Sequence, residues 1–169
     1  DPHTSSQMLH NAFTVGALAA GASVTDVSLV STPTLAHAAR EHHIGAMITA
    51  SHNPPEYNGI KLFNPDGTGF STEQSDNIEA SMKQQDRTAW NDIKNVQLSY
   101  NAIEKHMAAI LDTVQPIERP FKVIVDCGCG ATGTITPYLL QELGCQVVSL
   151  NAQPDGLFPA HAPEPGDGG

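Results

Sequence analysis

The sequence predicts an α/β protein with mixed, mostly parallel sheets and helices on both faces. Three observations lead there. Stretches with helical spacing of apolar residues alternate with short β-branched runs. The links between them are short, and such an order builds βαβ units with a covered sheet. The pattern is also set up twice, on either side of a proline-bounded stretch at Pro116 to Pro120. Two units follow, 1–115 and 120–169, with a boundary near 115–120.

The elements can be argued in order. Thr4-Ser5-Ser6-Gln7 has capping-box spacing, in which Thr4 caps a backbone N–H and Gln7 reaches back. Apolar residues then recur at Met8, Leu9, Ala12, Phe13, Val15, Leu18 and Ala19, giving a helix over 5–20 with a left-handed stop at Gly21. Val24 to Val30 alternates and is rich in valine, which suits a strand. Thr32-Pro33-Thr34 opens a second helix with proline in its first turn, running through Ala39 to a stop at Gly45. Ala46 to Thr49 reads as a short parallel strand, 51–57 as a polar loop, and Gly59 to Phe63 as the next strand. Asn64-Pro65-Asp66-Gly67 is a turn. A third helix begins at Ser71-Thr72-Glu73 and extends to about Gln85. Residues 86–99 carry no decisive pattern, whereas Tyr100 to Val114 has helical spacing at Ile103, Met107, Ile110 and Leu111. The second unit reads as a strand over 121–125, a glycine-rich turn, a helix over 134–143, a stop at Gly144 and a strand over 145–150.

Composition removes several classes of function. Eighteen acidic residues against eight Lys+Arg give a net charge of −10, and no cluster of positive charge would neutralise nucleic-acid phosphates. No apolar run approaches the roughly 20 residues that a bilayer requires, and no signal-peptide pattern opens the chain. Cys127, Cys129 and Cys145 are odd in number and grouped, unlike a secreted disulfide framework. A cytoplasmic protein with no nucleic-acid or membrane partner is the expectation. The chain starts at Asp1 without Met and finishes in a Pro/Gly run, and reads as part of a longer protein.

Thr49-Ala50-Ser51-His52-Asn53-Pro54 holds the strongest chemical signal. Ligands of open α/β sheets bind at the C-terminal strand edge, where this segment falls. A serine there can act as nucleophile or carry a phosphoryl group, with His52 and Asn53 as donors. The plain alternative is a polar turn, since Ser, Asn and Pro are ordinary turn residues. Three other features have similarly plain readings. His37, His42 and His43 lack the i, i+4 spacing of a helical zinc pair and read as a solvated helix end. Cys127-x-Cys129 has no further ligands at recognisable spacing and reads as buried thiols. Gly128, Gly130 and Gly133 imitate a dinucleotide fingerprint, but Asn151 stands where the downstream acid is wanted, so a structural turn is preferred.

The segment from Thr49 to Pro54 resembles the phosphoserine loop of the α-D-phosphohexomutases, the family of phosphomannomutase, phosphoglucomutase and phosphoglucosamine mutase. The resemblance extends to Thr32-Pro33-Thr34, Tyr57-Asn58-Gly59-Ile60-Lys61, Val125-Asp126-Cys127-Gly128, Pro137-Tyr138-Leu139-Leu140, and Asn151 through Pro165. It implies a phosphorylated Ser51 that exchanges its phosphoryl group with a hexose monophosphate through a bisphosphate, moving phosphate between C1 and C6. Such transfer depends on in-line positioning and on neutralising phosphoryl charge. The resemblance further implies Mg²⁺ at the Ser51 phosphate, His52 as a substrate holder and Lys61 as an acid/base or charge-stabilising group. It also implies Asn53 and Thr32 as substrate-binding residues. In that light 1–115 is the first domain lacking its first strand, and 120–169 is the start of the second domain.

Two residues depart from the family's pattern. His3 and His161 stand where arginine is common, and histidine offers neither the fixed charge nor the bidentate fork. The three-aspartate metal loop and the sugar-reading loops are also absent from the chain, and Asp66, Asp126, Asp155 and Asp167 are too scattered to replace them. A catalytically inactive remnant, or a sugar-phosphate binding module, is therefore the rival reading. The sequence leaves the choice among mannose, glucose and glucosamine open. Apolar surface is expected to be exposed around Val123 to Val125 and Val147 to Leu150, with self-association as its relief.

Overall fold

The computed structural model describes residues 1–84, 87–115 and 117–163. The expected helix end at Gln85, the linker's first residue Pro116 and the tail from Glu164, Asp167 included, lie outside the described residues. The described elements run α1 (Ser6–Ala19), β1 (Val24–Asp26), α2 (Thr32–Ala38), β2 (Gly45–Ile48), β3 (Ile60–Phe63), α3 (Thr72–Ser81), β4 (Val96–Leu98), α4 (Ala102–Leu111), β5 (Lys122–Asp126), α5 (Thr136–Glu142) and β6 (Gln146–Leu150). Short 3₁₀ turns follow α2 at Ala39–Glu41 and precede α5 at Ala131–Thr134. The strands pair as β1 with β4 and β5 with β6 in parallel, and β2 with β3 antiparallel.

Several boundaries correct the sequence reading. Thr4 does not cap α1: Ser5 is the N-cap without a side-chain bond, and Gln7 reaches forward to Asn11 (2.9 Å) instead. The strand expected over 24–30 stops at Asp26, because its carboxylate accepts the Ser28 N–H (2.7 Å) and Ser28 turns left-handed, φ 62°. The second helix ends at Ala38 rather than Gly45, which opens β2. A Cβ at Gly45 would lie 2.8 Å from the Ala39 Cβ, so glycine there allows β2 to pass close beneath the helix end. The strand before Ser51 is antiparallel to its partner in the described chain, because the connecting loop holds no helix and a parallel crossover needs one. Gly21 and Gly144 do stop their helices at φ 89°.

The core of the first unit is built by Val30, Leu35, Ala39, Met47, Phe63 and Ala102, with Val27, Ala36, Ala38 and Ile103 packed around it. Ser31 caps α2 by accepting the Thr34 N–H, and Ser71 with Gln74 closes a full capping box on α3. In the second unit one face of the β5–β6 pair is open at Ile124, Val148 and Leu150, while Val123, Val125 and Val147 are half-buried on the other. The expected apolar exposure is thus confined to one face.

A polar thread crosses the core between α2 and α4. The wholly buried Thr34 has its hydroxyl 2.8 Å from Ser31 Oγ and 2.9 Å from His106 Nδ1. His106 in turn stacks on His37 at 5.2 Å. His37 is therefore a packing partner rather than part of a solvated helix end, a pairing invisible to local spacing. Burial, and secondarily the charge of His37, hold the His106 pKa below its ordinary 6.5. The unfolded chain then binds this proton more readily than the folded one. Stability is fully present above pH 6.5 and is lost as pH falls below it. Urea titrations at pH 8 and pH 5.5 should show this loss, and His106→Gln should reduce it.

Candidate active site

β2 delivers its C-terminal end to a tight loop. Thr49 and Ala50 are buried there, and Ser51 emerges exposed with φ 62°. A left-handed backbone costs a residue with a Cβ about 1–2 kcal/mol, so it persists only where neighbours hold it. The Ser51 N–H donates to Thr49 Oγ1 (3.0 Å), and the Thr49 hydroxyl donates to Asp1 Oδ2 (2.6 Å). The Asn53 N–H donates to the Ala50 carbonyl (3.1 Å), closing the turn. The conformation places the Ser51 hydroxyl at the loop tip, 3.2 Å from His52 Nδ1.

The facing wall is tied to the start of α1. Asn58 donates to Ser5 Oγ (3.0 Å) and Ser6 Oγ (2.9 Å), while its own carbonyl oxygen accepts the Gly59 N–H (2.9 Å). Gly59 then accepts the Thr49 N–H (2.9 Å), and β3 carries Lys61 opposite Met47. Between the walls lies an open hollow of about 310 Å³ lined by residues that include Ser51, Asn53, Tyr57, Asn58 and Lys61. Lys61 is the one cation among its lining residues. The structure thus brings Ser51, Asn53 and Lys61 to one surface, with His52 bonded beside Ser51. Thr32 is half-buried at the first position of α2 and does not line the hollow. Sequence reasoning gave no part to Thr49, Asp1 or Asn58 in shaping the loop, because their contacts span about fifty residues of chain.

Behind the loop, His3 is 3% exposed and uses Nδ1 on Asp1 Oδ1 (2.8 Å). Burial pushes its pKa below the ordinary 6.5, with the Asn53 backbone opposing more weakly, so the ring is neutral at pH 7. It supplies no positive charge to the hollow. Its ring edge meets Phe158 at 5.0 Å, and its backbone bridges to Gly156 of the second unit.

The other candidate groups are engaged elsewhere. In the glycine-rich turn, the Gly128, Cys129, Gly130 and Gly133 N–H groups donate to Asp126, Asn151, Cys127 and Gly130 respectively. Amides spent in this way cannot cradle a pyrophosphate, so the turn is structural. Cys127, Cys129 and Cys145 are buried free thiols, and burial raises the Cys127 pKa. Asp66 accepts from Thr68, Asp126 from Gly128 and Asn151, and Asp155 from Leu157. His161 Nε2 lies 3.6 Å from Asp126, and the Ala162 carbonyl, followed by Asp126, raises its pKa. Among the described residues no group of three His, Cys, Asp or Glu side chains could hold a metal ion. The residues present therefore do not by themselves fit a Mg²⁺ centre. Nor, among these residues, is any helix long and apolar enough to cross a membrane.

Comparison with known proteins gives a consistent result. The profile described as phosphoglucomutase/phosphomannomutase, alpha/beta/alpha domain I, matches residues 1–89, and that of alpha/beta/alpha domain II matches 101–168. A protein of Methanocella arvoryzae named "Probable phosphoglucosamine mutase" is 55% identical over 99% of this chain, which spans 38% of that protein. A protein of the same name from Methanosarcina barkeri is 54% identical, with the same coverage. Among solved structures, a phosphoglucomutase/phosphomannomutase family protein from Burkholderia thailandensis superposes with a TM-score of 0.83 at 28% identity. It covers 97% of this chain and 37% of its own. The chain thus spans less than two-fifths of the length of these relatives.

Proposed function

The chain belongs to the phosphoglucomutase/phosphomannomutase family, and on that premise we propose that it is the front part of a phosphoglucosamine mutase whose phosphoryl carrier is Ser51. The observation that carries the reading is the exposed Ser51 hydroxyl, held at the tip of a left-handed turn on a hollow shared with Lys61. Glucosamine is chosen over mannose and glucose on the names of the relatives at 54–55% identity.

In this reading a sugar hydroxyl attacks the phosphoryl group on Ser51 in line. The P–O bond to Oγ breaks as the bond to the sugar oxygen forms, and the hydroxyl's proton ends on Oγ. The bisphosphate then turns over, and its other phosphoryl group returns to Ser51 by the reverse exchange. The Lys61 ammonium balances charge spread over the phosphoryl oxygens. His52, Asn53 and Thr32 are assigned to holding the substrate, with Thr32 the least supported by position. Mg²⁺, by family resemblance, would add Lewis-acid neutralisation of phosphoryl charge and would touch this chain only through the Ser51 phosphate. The two proposed domains, 1–115 and 120–169, would complete their sheets and the active site with the remainder of a cytoplasmic parent.

The reading is tested by supplying the full-length parent with glucosamine 6-phosphate, mannose 6-phosphate and glucose 6-phosphate, each with a trace of its bisphosphate. Conversion of glucosamine 6-phosphate at a kcat/KM at least about tenfold above the others is expected, a difference of about 1.4 kcal/mol in transition-state binding. No conversion of any of the three would refute it.

A further inference from the structure

His3 occupies a position that the phosphoryl-transfer scheme does not use. At 3% exposure it is closed to substrate, yet it touches both the Ser51 loop and the second unit. A carboxylate only accepts, so the directions of the adjoining hydrogen bonds are fixed. His3 Nδ1–H donates to Asp1 Oδ1, the Thr49 hydroxyl donates to Asp1 Oδ2, and Thr49 Oγ1 keeps its lone pairs for the Ser51 N–H. The Asn53 backbone carbonyl also lies beside the ring and favours a proton on it, more weakly than burial opposes one, while Nε2 reaches no partner at hydrogen-bond geometry among the described residues. The Nδ1 bond on one side and the Phe158 ring edge on the other fix the ring. The backbones also meet closely at this point: a Cβ on Gly156 would come within 2.2 Å of the Pro2 carbonyl oxygen.

Resting on the Ser51 reading, we propose that His3 is a positioning residue: a wedge between the 155–158 loop and the phosphoserine loop that orients Asp1, through Asp1 the Thr49 hydroxyl, and through Thr49 the left-handed backbone of Ser51. An apolar residue at position 3 would fill the space but release the Asp1 carboxylate. Thr49 could then rotate, the Ser51 amide would lose its fixed acceptor, and the carrier would relax away from the in-line geometry. A misplacement of about 1 Å costs roughly a hundredfold in rate. The departure from the family's arginine thus becomes a different device, a neutral ring that transmits position.

The test uses the phosphorylated full-length parent and follows single-turnover transfer to glucosamine phosphate together with steady-state KM. His3→Leu should slow transfer by about ten- to a hundredfold with KM changed by less than about threefold. His3→Asn, whose amide can donate to Asp1, should recover most of the rate. Thr49→Val should be slow by itself, and combined with His3→Leu it should add less than about threefold, because both cut one strut. Normal transfer in His3→Leu, no recovery in His3→Asn, or multiplying losses in the double variant would each overturn the proposal. If His3→Leu does not fold, wild-type transfer in Thr49→Val overturns it instead. Ser51→Ala separates the two levels. Turnover retained there would bring down the carrier reading and this proposal together. Turnover lost there with normal transfer in His3→Leu would bring down this proposal alone.

Discussion

Ser51→Ala in the full-length parent is expected to lower kcat by about 10³-fold or more while leaving the fold intact. The reasoning separates the hydroxyl from the backbone that presents it. Ser51 is exposed, with its hydroxyl 3.2 Å from His52 Nδ1 at the loop tip, so truncation opens no cavity. Its amide bond to Thr49 Oγ1 survives, and alanine meets the φ of 62° with much the same Cβ strain that serine does. Stability should therefore change by less than about 0.5 kcal/mol. Rate, by contrast, on the proposed reading depends wholly on an oxygen that can bear the phosphoryl group. Transfer assays and thermal melts on the same preparation check both halves.

Gly133→Ala is expected to be the most damaging small change outside the site. A Cβ there would sit 2.1 Å from the Ala152 carbonyl oxygen and 2.9 Å from its carbon, and neither is the movable end of a side chain. The turn over 126–133 is already fixed to 151–155 by the Cys129 N–H on Asn151 and the Asp155 N–H on Cys129. The clash cannot be relieved without breaking that contact, a loss of about 2–3 kcal/mol. The buried Cys127 and Cys129 thiols flank this turn and report on its opening. Their reaction with a thiol reagent should accelerate by roughly 30-fold. Gly16→Ala supplies the contrast, since nothing lies within 4 Å of a Cβ at this position in the last turn of α1. That change should stabilise by about 0.5–1 kcal/mol.

What could be read in the sequence was what is written locally. The left-handed stops at Gly21 and Gly144 rest on glycine's freedom at φ > 0, which needs no tertiary partner. The polar loop around Ser51 was legible because a strand ran into a run of turn residues. Two of the errors share a long-range cause. His37 found its partner on α4, and β2 was closed by an antiparallel neighbour. The bonds that hold Ser51 in place are of the same long-range kind. Asp1 reaches Thr49 across 48 positions, and Asn58 reaches Ser5 across 53. Periodicity and motif spacing carry no trace of such pairs. The glycine spacing at 128–133 imitates a fingerprint, which records residue types and not where their amides are spent; the missing downstream acid pointed to a structural turn, and the amide bonds agree.

The central claim is that Ser51 carries a phosphoryl group. Its most direct test is mass spectrometry of the parent protein from its natural source, read at the tryptic peptide Glu41 to Lys61, which has no internal Lys or Arg. The account predicts one phosphate, localised to Ser51 and discharged when the protein is incubated with glucosamine phosphate. An unmodified peptide that stays unmodified after exposure to the sugar bisphosphate would contradict it, and would leave a folded remnant of a mutase in its place.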